Sequence, residues 1–224
     1  MAGRRRAVRD EQKQERRQAL LDVAWQLFQA TSYQALTINE IADRTGLAKG
    51  TVYLYFKTKE ELFLSLQEQQ FEAWFGEVDA RLRALDSSQQ DHGAIQQIVA
   101  ILAETLAHRP GFTRLLAIMH SILEQNIDFA TAARFKAMLL LHVSQTGALL
   151  EAHLHFLQPG QGAQVLLRIH ALTIGLQHLA DPAPIVRRVL DEREMQIFAI
   201  DFAHEFSATV YALLYGLRSL ATRS

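Results

Sequence analysis

Lys49, Gly50, Thr51, Tyr53 and Tyr55 fall within seven residues, and no carboxylate interrupts the chain between Arg44 and Thr58. Ammonium, hydroxyl and phenol groups at this density donate hydrogen bonds to phosphate oxygens and base edges, and a glycine among them lets the backbone approach a surface closely. The chemistry on offer is recognition of a polyanion. Thr37, Tyr53 and Lys59 are expected to hold phosphates, with Arg44 a further cation beside them. Thr51 and Tyr55 suit either groove or phosphate, and no base is assigned to any of them.

These side chains need short helices to position them. Thr37 is a good N-cap with Glu40 three residues on, a reciprocal pair that starts a helix, and Ile38, Ile41 and Ala42 supply its apolar side. Gly46 ends that helix because glycine reaches the left-handed conformation without steric cost. The next segment, Ala48 to Phe56, is too short to stand alone and must be held by neighbours through Leu47, Val52 and Phe56. Thr58 with Glu61 repeats the capping signal and opens a further helix. By propensity Thr51 to Phe56 reads as a strand, but it lies between two capped helices and no partner strand is visible. Two short helices joined by a glycine turn are either a scaffold hairpin or a helix-turn-helix, whose second helix enters the DNA major groove.

Leu36-Thr37, Ile41-Ala42, Gly46-Leu47, Lys49-Gly50-Thr51, Tyr53, Tyr55-Phe56-Lys57, Lys59 and Glu61-Leu62 together resemble the DNA-binding signature of TetR/AcrR-family transcriptional regulators. The resemblance covers roughly the first quarter of the chain. One position departs from it. Ala48 stands where the family usually has a capping serine, a loss of about 0.5–2 kcal/mol of cap. The resemblance implies an all-α protein: an N-terminal three-helix helix-turn-helix domain over residues 1–62, including an arm over 1–9, and a C-terminal helical ligand-binding and dimerisation domain over 63–224.

Composition sets the outer limits. The 224 residues include no cysteine, so disulfide and thiol chemistry are excluded. The longest apolar runs fall short of the roughly 20 residues that span a bilayer, and no signal-peptide pattern opens the chain. A cytoplasmic protein with no membrane partner is expected. Net charge is −1, yet residues through Glu60 hold 11 basic against 7 acidic groups, a balance of +4, leaving −5 for the remainder. That asymmetry suits a basic reading head on an acidic body.

In chain order, Met1 to Arg9 has no apolar pattern and is expected to be disordered when free, its arginines being either a minor-groove arm or a solvated tail. A helix follows from about Asp10 to Thr31, with Leu20, Leu21, Ala24, Leu27 and Phe28 as its stripe. The helix opened by Thr58 continues to about Leu85 and would carry motion from the body to the head. Asp86 to Gly93 reads as a linker. Helices are then expected over Ala94 to His108, Gly111 to Glu124, Phe129 to His155, Gly162 to Leu179, Ile185 to Leu190 and Glu192 to Ala221.

The helix from Gly162 and the last helix are apolar nearly all round, which demands burial on more than one side. They are expected to form a symmetric four-helix interface between two copies through Val165, Ile169, Leu172, Leu176, Ile197, Ile200, His204, Ala208, Tyr211 and Tyr215. A homodimer with recognition helices about 34–36 Å apart meets successive major grooves, so the operator should be a rough palindrome. A monomer with a deeper core is the competing arrangement.

All nine histidines lie at or beyond His92. Neither His153 with His155 nor His170 with His178 has the i, i+4 spacing of a helical metal site, so no metal and no cofactor is expected. Phe71, Trp74, Phe75, Leu102, Met119, Met138 and His142 either line an apolar pocket or form ordinary core. The resemblance implies a pocket for a small hydrophobic or amphipathic effector that releases a repressor from double-stranded DNA. A helical enzyme is the alternative in another class, but it lacks a catalytic constellation at recognisable spacing. A lipid carrier is a third, distinguished by the absence of DNA contact at any salt concentration.

Overall fold

The structure, a computed structural model, describes residues 2–86 and 91–223, with side chains described from residue 10 onward. Among the described residues every regular element is helical, as expected. The helices are α1 (Ala2–Ala30), α2 (Ile38–Thr45), α3 (Lys49–Tyr53), α4 (Lys59–Arg83), α5 (Asp91–Ala107), α6 (Pro110–Met119), α7 (Phe129–His153), α8 (Gln161–Ala180), α9 (Pro184–Leu190) and α10 (Phe202–Ala221). Short 3-10 turns occupy Leu123–Asn126 and Arg193–Phe198.

Two compact units result. One is Met1–Gln69 together with Met119–Ala132; the other is Gln70–Ile118 with Ala133–Ser224. The segment from Met119 belongs with the first unit, which a division at a single residue could not express.

In the first unit, Leu20, Leu21, Ala24, Leu27 and Phe28 of α1 are buried, as are Ile38, Ile41 and Ala42 of α2, Val52 of α3, and Phe56, Leu62, Phe63 and Leu66 in and before α4. Phe63 is the pivot: Tyr33 meets it edge-on at 4.9 Å and Phe28 at 5.5 Å. Such perpendicular ring pairs favour one geometry beyond simple burial. Helix α1 begins at Ala2, where a disordered arm was expected. Residues 2–9 are mostly alanine and arginine, strong helix formers, and they extend the first long helix toward the terminus. Side chains of residues 1–9 lie outside the described residues.

In the second unit, Phe71 stacks on Phe75 at 5.8 Å and meets Phe112 edge-on at 5.2 Å, while the Trp74 indole N–H donates to Thr105 Oγ1 at 3.0 Å. Helices α7 and α8 cross so closely that a Cβ on Gly162 would lie 2.1 Å from the Gly147 carbonyl oxygen. Helix α10 packs on α5 and α8 through buried Phe206, Val210 and Leu214.

Two expectations need correction here. The last helix begins at Phe202, with the Asp201 carboxylate accepting from the His204 N–H, and residues before it form the 3-10 turn. Val165 and Ile169 are buried within their own chain, so they form core and not a surface for another copy. The outward stripe of α8 is Leu167, Ala171, Gly175 and His178, flanked by half-buried Leu172 and Leu176. Periodicity shows that a helix is apolar all round; it cannot say which side its own chain takes.

Candidate nucleic-acid interface

The α2 capping box forms as its sequence requires. Glu40 N–H donates to Thr37 Oγ1 at 3.2 Å, and the Thr37 N–H donates to Glu40 Oε2 at 2.9 Å. Gly46 then takes φ 67°, and its N–H reaches the carbonyls of Ala42 and Asp43. The chain turns sharply into α3, whose N-cap Ala48 has no side-chain cap hydrogen bond. No side chain caps the α3 N-terminus, where the Thr51 N–H donates to Ala48 O at 2.8 Å, and a helix start of this kind favours anions.

Helix α3 buries Val52 and presents the rest. Lys49, Gly50 and Tyr53 are exposed and Thr51 and Tyr55 half-buried, so the five expected groove residues sit on one short helix and the turn after it. Nothing lies within 4 Å of where a Gly50 Cβ would stand. Its own packing does not require glycine. Arg44, in the last turn of α2, is exposed. Leu54 is also exposed, an apolar group suited to a thymine methyl that residue type alone did not single out. The strand alternative for Thr51 to Phe56 is excluded by the helix and turn found there.

Two expected phosphate ligands are otherwise engaged. The Lys59 ammonium donates to Leu36 O at 2.6 Å and to Tyr33 O, and lies 3.9 Å from the centre of the Tyr33 ring. Burial lowers its pKa, while Glu60 and Glu40 oppose that shift. Lys59 thus closes the α1–α2 loop instead of pointing outward. The Thr37 hydroxyl donates to Glu40 Oε2 at 3.1 Å, which spends its proton on the cap. Tyr33 is likewise held inward, donating to Glu60 Oε1 at 2.9 Å, and burial pushes its phenol well above the usual range.

The second capping signal differs in detail. Glu61 N–H donates to Thr58 Oγ1 at 3.0 Å, but the Glu61 carboxylate accepts from the Lys57 N–H, one residue earlier than a reciprocal pair would place it. Lys57 itself was part of the recognised pattern but not of the expected contacts. Its ammonium is paired with Asp128 at 2.8 Å and its side chain is 75% exposed. Arg17 supports the unit from behind, donating to Ser65 Oγ at 2.9 Å with its guanidinium 5.0 Å from the Phe56 ring centre.

Residues 20–66 match the model for bacterial regulatory proteins of the tetR family, and residues 68–221 match that for tetracyclin repressor-like C-terminal domains. The chain belongs to the TetR family. Members are DNA-binding transcriptional regulators and not enzymes. The transcriptional repressor NicS of Pseudomonas putida is 29% identical over 52% of this TetR-family chain and 54% of its own length. The first curated relatives are matched over between about a quarter and a half of their lengths. Among solved structures, a TetR/AcrR-family regulator from Thermobifida fusca has a TM-score of 0.55, with 17% identity over 89% of this chain and 96% of that one. FadR of Bacillus subtilis, solved in complex with stearoyl-CoA, has a TM-score of 0.50, with 17% identity over 88% of this chain and 96% of its own. These likenesses are of fold.

Among the described residues no group of three or more metal-ligating side chains is present, and no helix is long and apolar enough to cross a membrane. The expected effector residues fall in both units: Met119 is buried in the first, while Phe71, Trp74, Phe75, Leu102, Met138 and His142 belong to the second. There the Phe75 and His142 rings stack at 5.2 Å with 4° between planes.

Proposed function

We propose that this regulator is a cytoplasmic, ligand-responsive repressor that binds a palindromic DNA operator as a homodimer and leaves it when a small hydrophobic or amphipathic molecule binds the second unit. One observation carries the DNA reading. An exposed, carboxylate-free face on α3 bears Lys49, Gly50 and Tyr53 beside uncapped amides. Such a face would be poorly used against any surface but a polyanion. Groove contacts are assigned to Lys49, Gly50, Thr51, Tyr53 and Tyr55, with Arg44 and the α3 amides on phosphate. A helix of five residues reads only a few base pairs, so a second copy is needed for a useful operator.

For the effector, the reading is supported by the mostly apolar aromatic cluster of Phe71, Trp74, Phe75 and His142 with its one polar ring, a composition that suits a small-molecule site. The stearoyl-CoA bound to FadR is consistent with an amphipathic effector but identifies none for this chain.

The deciding experiment is selection of bound fragments from the source genome, with fluorescence anisotropy on the recovered sequence. The proposal expects an inverted repeat bound by two chains and a log–log salt dependence of several ions released. Recovery of no sequence at any salt concentration would remove the DNA assignment.

A further inference from the structure

The end of helix α3 carries one large aliphatic side chain that its own fold does not use. Val52 is fully buried and Phe56 is 2% exposed, whereas Leu54 between them is 79% exposed. Leu54 continues the helical backbone past Tyr53, with φ −75° and ψ −19°, so its direction follows from the helix. At about 100° per residue it points roughly 160° away from Val52 about the helix axis. That direction is the middle of the outward face, which Lys49, Gly50 and Tyr53 share. An exposed leucine elsewhere on a surface needs no explanation. One at the centre of a helix that reads a polyanion does, because contact strips water from it and only an apolar neighbour then stabilises it.

Gly50 lies four residues earlier, one turn back on the same side. Helical side chains lean toward the N-terminus, so the Leu54 isobutyl group leans over the turn that contains Gly50. Nothing stands within 4 Å of where a Gly50 Cβ would be. Backbone and leucine together bound a shallow apolar notch, and Lys49 and Tyr53 beside it carry the polar donors.

We propose that Leu54 is a specificity-determining residue, which reads the C5-methyl group of a thymine in each operator half-site across the turn left open by Gly50. The proposal rests on the DNA assignment above and adds the base that this part of α3 selects. Chemistry leaves one candidate in the groove. Every base edge there presents hydrogen-bond donors or acceptors, and thymine alone adds a methyl group. A phosphate in the same place would set charge against the leucine and leave it unsatisfied.

The operator recovered by genomic selection supplies the test. Each thymine of a half-site is replaced in turn by deoxyuridine, which removes the methyl group and keeps the pairing edge. Binding of the full-length natural chain and of Leu54→Ala is then followed by anisotropy. One thymine per half-site should weaken the natural chain roughly fourfold when replaced, as expected for one buried methyl, and roughly fifteenfold when its mate in the other half-site is replaced too. Leu54→Ala should bind the thymine operator more weakly and no longer distinguish it from the uracil operator. Its salt slope should equal that of the natural chain, because an apolar contact releases no counterions. The uracil operator doubles as the folding control, since both chains should bind it with closely similar affinity. Discrimination that survives in Leu54→Ala assigns the methyl to another residue and overturns the proposal. An equal loss on both operators at an unchanged urea melt, the mark of a leucine resting on a sugar, overturns it as well. So does a natural chain indifferent to uracil at every thymine. In these three cases the DNA assignment stands, whereas recovery of no sequence at any salt concentration removes both.

Discussion

The Lys57 ammonium lies 2.8 Å from the Asp128 carboxylate, 71 residues away in sequence. Asp128 is engaged twice, since its other oxygen accepts from the Thr131 N–H at 2.8 Å in the first turn of α7. Beside it Thr58 Oγ1 donates to Asn126 O at 3.4 Å, so the start of α4 and the chain entering α7 are tied at two points. Both charged groups of the ion pair are open to water.

An ammonium with such exposure keeps donors free for phosphate, whereas the Lys59 ammonium is turned onto carbonyls. Lys57→Ala should therefore weaken binding to all DNA sequences about equally and reduce the salt slope by about 0.9, with little change in stability because exposed ion pairs contribute little. Lys59→Ala should do the reverse: a lower denaturation midpoint, by roughly 1–3 kcal/mol for lost charged hydrogen bonds, with the slope unaltered. Anisotropy titrations over a salt series and urea melts separate the two, and a slope change confined to Lys59→Ala would contradict the assignment.

Gly50 offers a cleaner separation of stability from recognition. With open space where a Cβ would stand, Gly50→Ala should leave the fold as stable or more stable by up to about 1 kcal/mol, the helix-propensity gain. DNA affinity should nevertheless fall by about tenfold or more, roughly 1.4 kcal/mol, because the added methyl meets the DNA surface. Unchanged affinity would show that the backbone at Gly50 does not approach DNA closely.

The Lys57–Asp128 pair has a defined pH window. A hydrogen bond from Lys57, aided by Thr131, lowers the Asp128 pKa below its ordinary 3.8. Its contribution is thus fully present above the unfolded value and is lost as pH falls through the lower folded one. Asp128 raises the Lys57 pKa above 10.5, so that contribution is present below the unfolded value and is lost as pH rises through the higher folded one. Between these limits the pair should be insensitive to pH. A carboxyl NMR titration should place the Asp128 midpoint clearly below that of an exposed aspartate; a midpoint at the ordinary value would mean that the pair does not persist in solution.

At the α7–α8 crossing, Gly162→Ala must displace backbone, since the Gly147 carbonyl oxygen would be 2.1 Å from the new methyl. Overpacking of this kind costs about 1–3 kcal/mol. Chemical denaturation should show the loss, whereas Gly175→Ala on the same helix, with nothing within 4 Å, should show none in the monomer. Equal stability of Gly162→Ala and the natural sequence would mean that the helices separate more readily than their packing indicates.

What the sequence determined by itself is local. The Thr37–Glu40 capping box, the left-handed Gly46 and the uncapped Ala48 all formed as read, because each depends on groups no more than five residues apart. The helical character of Thr51 to Tyr53 was also legible, from its capped neighbours on either side. Tertiary structure decided the rest. It turned Lys59 inward onto carbonyls of the α1–α2 loop, brought Asp128 to Lys57 and put Val165 and Ile169 in their own chain's core while leaving Ile197 outside. An ammonium or a methyl has the same chemistry in either setting. Which partner it meets depends on elements far away along the chain, and on which face of each helix that packing closes.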